Sequence, residues 1–468
     1  MKLRTTFIFA LFAVIALTST KNLLAGGSAV VTKPNVLFIA IDDLNDWVGH
    51  LRGHPQAKTP NIDRLAGRGV SFTRAYCSAP LCNPSRASLL TGILPSNSGV
   101  YGNGEKVREK LPSAVTLMQH LRKHGYSAQG GGKIFHEANR PGDPASWDFY
   151  FKAYSSKRLD GRDKDLPKSA WAPWGPLDVA DEEMLDVKVV NWAISELEKS
   201  HDKPFFLACG FTKPHLPWYV PRKYFDIHPL DKIILPRTLD HDRDDLPEFG
   251  KKLAREVHTI SNGKNHSQHG EDHDMVLRYN QWHRAVQSYL ATISFVDTHV
   301  GRLLDALDSS EHAGNTVVVL WGDHGWHLGE KQHWRKHALW ENTTRTPLII
   351  SAPRQVGRNQ LCDRPVSLID LYPTLVELCG LPARGGLDGQ SIAPLLKNPN
   401  MTWDRPALMT YGCGNHAVRT ARWRYIRYHD GGEELYDHDA DPHEWNNLAG
   451  KEPFSEIIAS HRKWLPKK

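Results

Sequence analysis

An α/β fold built on a mostly parallel sheet is what this sequence predicts, and three observations predict it. Four short apolar runs, Val36–Ile41, Phe205–Cys209, Thr316–Trp321 and Leu348–Ile350, show no alternation of polar and apolar residues. Strands buried on both faces read in this way, as in a parallel sheet with helices on each side. Helical patterns lie between the runs, and alternation of the two kinds of element is the mark of an α/β architecture. The chain has 468 residues, 40% hydrophobic and 24% charged, which suits a large core and excludes collagen-like, disordered or multi-span membrane chains.

Residues 1–25 read as a signal peptide. Lys2 and Arg4 make a basic start, Phe7–Leu17 is apolar, and Leu23-Leu24-Ala25 precedes Gly26 as a cleavage site. Eleven apolar residues are too few to span a bilayer, which takes about 20 in a helix. The expected location is therefore outside the cytoplasm: periplasmic, secreted or, in an animal, lysosomal. The formal net charge of +6 falls to +3 without this leader, too little to argue for nucleic acid. Six cysteines do not make a disulfide scaffold.

Val36–Ile41 opens the α/β region, expected over 33–398. Within Cys82–Gly92 a helix is expected, with Pro84 where it could begin and Gly92 where it could stop. Ala114–Lys123 is amphipathic and ends before Gly125, and Met184–Lys199 is a further helix. His241–Asp274, polar and rich in histidine (His241, His258, His266, His269, His273), reads as a long surface excursion. The clearest helix is Arg278–Leu307, where Trp282, Ala285, Tyr289, Ile293, Val296, Val300, Leu303 and Leu307 recur at spacings of three and four. After Pro399 the pattern changes to antiparallel strands in Ala417–Tyr428 and Glu433–Tyr436 and a closing helix in Pro453–Leu465. Residues 399–468 are thus expected to form a small C-terminal α+β subdomain.

Polar residues cluster where the buried strands end, and open α/β sheets bind ligands beyond the carboxyl ends of their strands. Val36–Ile41 ends in Asp42-Asp43, Thr316–Trp321 in Gly322-Asp323-His324, and Phe205–Cys209 leads to Lys213-Pro214-His215. Three carboxylates and two imidazoles at one edge call for a divalent cation to offset their repulsion. Oxygen donors favour Ca²⁺ or Mg²⁺ over zinc, while His324, a softer ligand, leaves the ion's identity open. Cys82 sits at the mouth of a helix that carries Arg86 in its first turns, a ready anion site.

The string Cys82-Asn83-Pro84-Ser85-Arg86, continuing to Gly92, resembles the signature of the type I sulfatases, and the chain is most similar to their iduronate-2-sulfatase branch. Ser78–Gly92, Gly132-Lys133-Ile134-Phe135-His136, Lys213-Pro214-His215-Leu216-Pro217, Gln287–Leu307 and Asp323–Lys336 carry the likeness, with Glu434-Leu435-Tyr436-Asp437 at the C-terminus. The resemblance implies an alkaline-phosphatase-like sandwich. It also implies that a formylglycine-generating or sulfatase-maturating enzyme oxidises Cys82 to an aldehyde.

The hydrated aldehyde offers two hydroxyls on one carbon. One attacks sulfur; the other then loses its proton, so that the carbonyl reforms and sulfate leaves. In the family's pattern Asp42, Asp43, residue 82, Asp323 and His324 hold the metal, Ca²⁺ with Mg²⁺ as the alternative. Arg86 and Lys133 hold the modified residue, and His136 takes the proton that drives elimination. His215 and Lys336 bind sulfate and protonate the departing alcohol.

The expected substrate is a sulfated carbohydrate containing uronate, and Trp171, Trp174, Trp218 and Trp334 are candidates to line its cleft. His327 and His333 either touch substrate or face solvent. Two alternatives remain. One is a phosphate or phosphonate ester hydrolase of the same superfamily, where an unmodified Ser or Thr often stands in place of Cys82. The other is a silent carbohydrate-binding relative, favoured if Cys82 were a thiol or bridged to Cys77.

Overall fold

The computed structural model describes Met1 and residues 33–155, 159–161, 173–255, 271–353 and 356–467. The rest of the expected leader, Trp171, His258, His266 and His269 lie outside these residues.

Eight strands make the central sheet: β1 (Asn35–Asp42), β2 (Val70–Phe72), β3 (Ser127–Gly132), β4 (Phe149–Phe151), β5 (Phe205–Pro214), β6 (Thr316–Gly322), β7 (Leu348–Ser351) and β8 (Gln360–Cys362). Their order is β8-β2-β7-β6-β1-β5-β3-β4. The segment from β6 to β4 is parallel throughout. On β1, Leu37, Ile39 and Ile41 join one apolar core, while Val36, Phe38 and Ala40 join the other. Burial of both faces is why these runs show no alternation.

The long helix α5 (Trp282–Ser309), with α1 (Pro60–Ala66) and α4 (Leu185–Leu197), covers the first face. The helices α2 (Cys82–Thr91), α3 (Leu117–Lys123) and α6 (Leu371–Leu378) cover the second. Among the described residues no helix is long and apolar enough to cross a membrane.

Four elements differ from expectation. β7 runs antiparallel to both neighbours, β2 and β6. The chain leaves the carboxyl edge after β6, makes the loop Asp323–Pro347 and re-enters beside β6 without a crossover, so it must run the opposite way. α2 begins at Cys82 rather than at Pro84, with extended Leu81 as its cap, and it stops at Gly92 in a left-handed conformation (φ 73°). Pro84 still falls in the first turn, where its missing N–H costs nothing. The stripe from Arg278 is broken at Asn280 (φ 51°), so Asp272–Arg278 is a separate short helix and α5 starts at Trp282.

The fourth is the excursion His241–Asp274, which is not wholly surface. Asp242, Leu246, Leu253, Ala254, Asp272 and His273 are buried, and Glu248–Ala254 is helical. Lys331 pairs with Asp242 at 2.8 Å and Arg335 with Asp272 at 2.7 Å. Polar composition concealed this burial because Asp242 and Asp272 are buried through ion pairs, while only Leu246, Leu253 and Ala254 join an apolar cluster.

At the C-terminus β9 (Ala407–Thr410), β10 (His416–Arg419), β11 (Trp423–Arg427) and β12 (Glu433–Asp437) form an antiparallel sheet. The closing helix α7 (Ser455–Arg462) packs Ile458 against Tyr425 and Leu435. The opposite face meets Leu339 and Trp340 of the loop that follows β6. There Arg424 donates to Leu339 O at 2.8 Å and Trp340 Nε1 to Glu434 at 2.7 Å.

Candidate active site

Strand register builds the site. Ile41 pairs with Gly322, Asp42 with Pro214, and Gly132 with Gly210. Four adjacent parallel strands therefore end together and deliver Asp42-Asp43, Asp323-His324, His215 and Lys133 to one edge. The Gly-rich β3 was not evident as a strand in the sequence, because Gly130–Gly132 reads as a loop. Its glycines are a packing requirement. A Cβ on Gly132, at φ +81°, would lie 1.9 Å from Gly210 O, and one on Gly210 would lie 2.4–2.5 Å from the Lys133 backbone. Only two bare backbones let Lys133 come this close to β5.

Asp43 takes a left-handed conformation (φ 59°), which turns its carboxylate beside that of Asp42. Tyr289 of α5 holds the turn, donating to Asp43 O at 2.7 Å and accepting from Asn45 N at 3.0 Å. Asp43 N donates to Asp323 Oδ1 at 2.9 Å, tying the ends of β1 and β6 together. From α2, Arg86 is wholly buried. Its Nε donates to Asp323 Oδ2 at 2.8 Å, its Nη2 to Asp42 Oδ1 at 3.1 Å, and its Nη1 to the carbonyls of Lys133 and Ile134.

Lys133 Nζ contacts Asp42 Oδ2 and lies 3.8 Å from Cys82 Sγ. Lys336 Nζ lies 2.7 Å from Asp43 Oδ1 and 2.9 Å from Cys82 Sγ. His324 Nε2 is 3.3 Å from both Cys82 Sγ and Asp43 Oδ1, and 3.7 Å from Asp323 Oδ2. His215 Nε2 is 3.9 Å from Asp43 Oδ2.

Three carboxylates thus meet three side-chain cations, Arg86, Lys133 and Lys336. Repulsion among the carboxylates is offset by the chain itself, so it is not what calls for a metal. Two other features fit one. Asp43 Oδ2 is buried with no hydrogen-bond partner among the described residues. His324 places Nδ1 3.0 Å from Gly325 O, the geometry of an N–H donor, which leaves the Nε2 lone pair turned towards carboxylate oxygens. Donor atoms of Asp43, Cys82, Asp323 and His324 lie within 4.8 Å of one another, as do those of Asp42, Asp43, Cys82 and His215. The mainly oxygen donor set suits a hard divalent ion.

Burial alone would raise the pKa of Asp42 and Asp43, but Lys133 beside the first and Lys336 beside the second hold both below the ordinary value. Asp323 is held lower still: burial opposes this, and Arg86 outweighs it. Burial pushes the Cys82 thiol up to about 12, in spite of Lys133 and Lys336. An unmodified Cys82 is therefore a thiol and a poor nucleophile at neutral pH. Burial and then Lys133 bring His136 down to about 4, and its buried Nδ1 has no partner among the described residues.

The expected set thus comes together: Asp42, Asp43, Cys82, Arg86, Lys133, His215, Asp323, His324 and Lys336 by direct contact, with His136 beside them. The three described candidates, Trp174, Trp218 and Trp334, do not line a cleft. Trp174, Trp218 and Trp334 are at most 1% exposed, and the rings of Trp174 and Trp218 stack at 5.5 Å. They are core residues, too large to leave apolar area in water. His327 and His333 are buried and do not face solvent. They pack edge-on against Trp340, and His333 Nε2 meets Lys336 O at 2.8 Å. All six cysteines are free, so Cys77 does not bridge Cys82.

The sequence reading missed what holds Lys336. Lys331, Gln332, Arg335 and His337 all take positive φ, an irregular path braced by Asp242, Asp272 and His333. No local signal marks those braces, which come from distant segments.

A mixed, mostly parallel sheet with such a cluster at its carboxyl edge is the alkaline-phosphatase-like architecture of enzymes that hydrolyse anionic esters. The chain belongs to the sulfatase family and is a sulfatase. The Sulfatase family model matches residues 34–381, and that of the N-sulphoglucosamine sulphohydrolase C-terminal region matches 329–468. A sulfatase from Formosa agariphila is 38% identical over 460 residues, 93% of this chain and 87% of that protein. The iduronate 2-sulfatase of Mus musculus is 31% identical over 402 residues, 76% and 71% of the two chains. In fold, the phosphonate monoester hydrolase of Silicibacter pomeroyi superposes with a TM-score of 0.76 at 23% identity, covering 92% of this chain and 94% of its own. The backbone alone therefore does not separate sulfate from phosphonate chemistry.

Proposed function

We propose that this sulfatase is exported and removes sulfate from a uronate-containing carbohydrate, with Cys82 matured to formylglycine and a divalent ion, Ca²⁺ or else Mg²⁺, in the carboxylate cluster. Residues 1–25 would be the leader, 33–398 the catalytic α/β part and 399–468 the C-terminal subdomain. The observation that carries the reading is Cys82, a buried and poorly ionised thiol set between two lysines and a ring of metal-type donors. As a cysteine it is a weak nucleophile; its Sγ marks where the oxygens of the matured residue would lie. The iduronate 2-sulfatase likeness supports the choice of uronate.

Asp42, Asp43, Asp323 and His324 would hold the ion with residue 82. The ion, when bound, lowers the pKa of a nearby hydroxyl and polarises sulfate oxygens. The hydrated aldehyde supplies one hydroxyl for attack and one for release. Since three acids already balance three bases, adding a dication leaves the site net positive, which draws in an anionic ester. Lys133 and Lys336 stay charged there: burial disfavours the charge, but Asp42 and Asp43 respectively outweigh it.

His136, neutral at pH 7, is poised to accept the proton that drives elimination. Burial brings His215 down to about 4, so it is neutral before substrate binds. The charge of bound sulfate raises that pKa and makes His215 able to protonate the leaving alcohol.

The test is the mass of the tryptic peptide Ala75–Arg86 from the native host, fragmented to separate Cys77 from Cys82. An aldehyde at position 82 is expected, and a thiol there would overturn the mechanism. Turnover of a sulfate ester beside the matching phosphonate monoester reads how far the site prefers sulfate over phosphonate.

A further inference from the structure

A cavity of about 290 Å³ lies at the carboxyl end of β5, and Asn139, Leu177, Met184, Lys213, Pro217 and Tyr219 lie in its wall. Two of these are continuous with catalytic residues. Lys213 precedes His215 by two residues on β5, and Asn139 follows His136 by three, its N–H bonded to Gly132 O at 2.8 Å. Among nearby carboxylates Asp186 acts most strongly on the Lys213 charge, followed by Asp42 and Asp43. At about 290 Å³ the space is at the small end for ligand pockets, which run from about 300 Å³, so it takes one sugar residue rather than a chain.

Lys213 is the unexplained group. It is 8% exposed, yet among the described residues no carboxylate oxygen comes within ion-pair distance of its Nζ. Among the described residues the ammonium donates only to carbonyls, Pro217 O and, at 3.4 Å, His215 O. One of its three N–H groups is left without an acceptor among the described residues. Asp186, the buried carboxylate nearby, accepts the backbone N–H groups of Thr212 and Lys213 at 3.0 and 2.9 Å instead. Glu183 stands at the rim, half exposed. A buried cation is costly unless something anionic completes it. Across the cavity the side-chain oxygen of Asn139 is likewise without a partner among the described residues.

We propose that this cavity seats the sugar that bears the sulfate and that Lys213 binds its carboxylate, making Lys213 the residue that selects uronates over neutral sugars; this rests on the sulfatase reading above. Leu177, Met184, Pro217 and Tyr219 supply the apolar wall for the ring, and the Asn139 amide meets a ring hydroxyl. The carboxylate supplies the missing acceptor to Lys213 and is a better counter-charge than two carbonyls.

The experiment uses the full matured enzyme and two substrates: a 2-O-sulfated hexuronate disaccharide and the same disaccharide with its carboxyl reduced to the alcohol. The readout is the ratio of their kcat/KM values in wild type, Lys213→Met and Lys213→Arg. Wild type is expected to favour the uronate by about tenfold or more, as for other charge pairs taken out of water. K213M should bring the ratio near one, and K213R should restore part of it. Damage to folding or to the catalytic groups lowers both rates together and leaves the ratio unchanged. A K213M ratio equal to that of wild type overturns the assignment. Should K213M fail to fold, a wild type indifferent to carboxyl reduction does the same. Wild type that cleaves 4-nitrophenyl sulfate but neither sugar would instead refute the uronate substrate on which the proposal stands.

Discussion

Replacing Arg86 by alanine should unsettle the site in two separable ways. The guanidinium is buried and joins Asp42 at 3.1 Å, Asp323 at 2.8 Å and two backbone carbonyls, so no water can take its place without rearrangement. At about 3 Å and an effective dielectric of about 20, each ion pair is worth about 5 kcal/mol of attraction. Desolvation and the repulsion between the two acids reduce the net, and deleting one partner of a buried pair commonly costs about 3–5 kcal/mol. Arg86→Ala is expected to lose that much stability in the metal-free protein. Because Asp323 then lacks its guanidinium partner and Asp42 keeps only Lys133, added Ca²⁺ should recover more stability in the variant than in wild type. Arg86→Lys keeps the charge but not the planar fork, and should fold better than R86A while losing about 10²–10³-fold in kcat. Unfolding in urea with and without Ca²⁺, beside turnover of an aryl sulfate, reads both effects. An R86A protein as stable as wild type without metal would refute the argument that Arg86 supports these acids.

Four further outcomes follow from the same geometry. Chelation with EDTA should abolish turnover and lower the unfolding temperature, and restored Ca²⁺ at a hundred times its Kd should return about 2.7 kcal/mol, read by thermal unfolding. His136→Ala should cost about 10²–10⁴ in kcat. Because its folded pKa is depressed to about 4, the base form in wild type is complete near neutrality and lost only as pH falls through about 4, which a pH–rate profile checks. Gly210→Ala drives a Cβ into the Lys133 backbone, and should cost about 1–3 kcal/mol together with activity, measured by unfolding and aryl sulfate turnover. Trp174→Ala should destabilise by about 3–5 kcal/mol without selectively weakening KM, since Trp174 is core rather than cleft.

Much of the site was legible because its chemistry sits at strand ends. An uninterrupted apolar run announces a strand covered on both faces, and the polar residues just past it must lie at the sheet edge. Asp42, Asp43, Asp323 and His324 were readable on that ground, and Cys82 and Arg86 from a compact local string. The position of His215 was readable in the same way, but its role, like those of Lys133, His136 and Lys336, came from family likeness. Long-range pairing was not legible. The direction of β7, the burial of Asp242 and Asp272, and the braces on Lys336 depend on which segments meet. The tryptophans were ambiguous for a related reason: residue type says that a ring is apolar, not whether core or substrate covers it.

Local order was enough to specify the α/β class, the helix that presents Cys82 and the kinds of donor that surround it. Periodicity and chemical type are properties of neighbouring residues, and they survive without the fold. The balance of charge in the site was decided only by tertiary structure. Whether three acids need a metal, or already have Arg86, Lys133 and Lys336, turns on separations of about 3 Å between residues up to 293 positions apart. Electrostatic energy depends on that separation and on burial, and neither is written in the order of the chain.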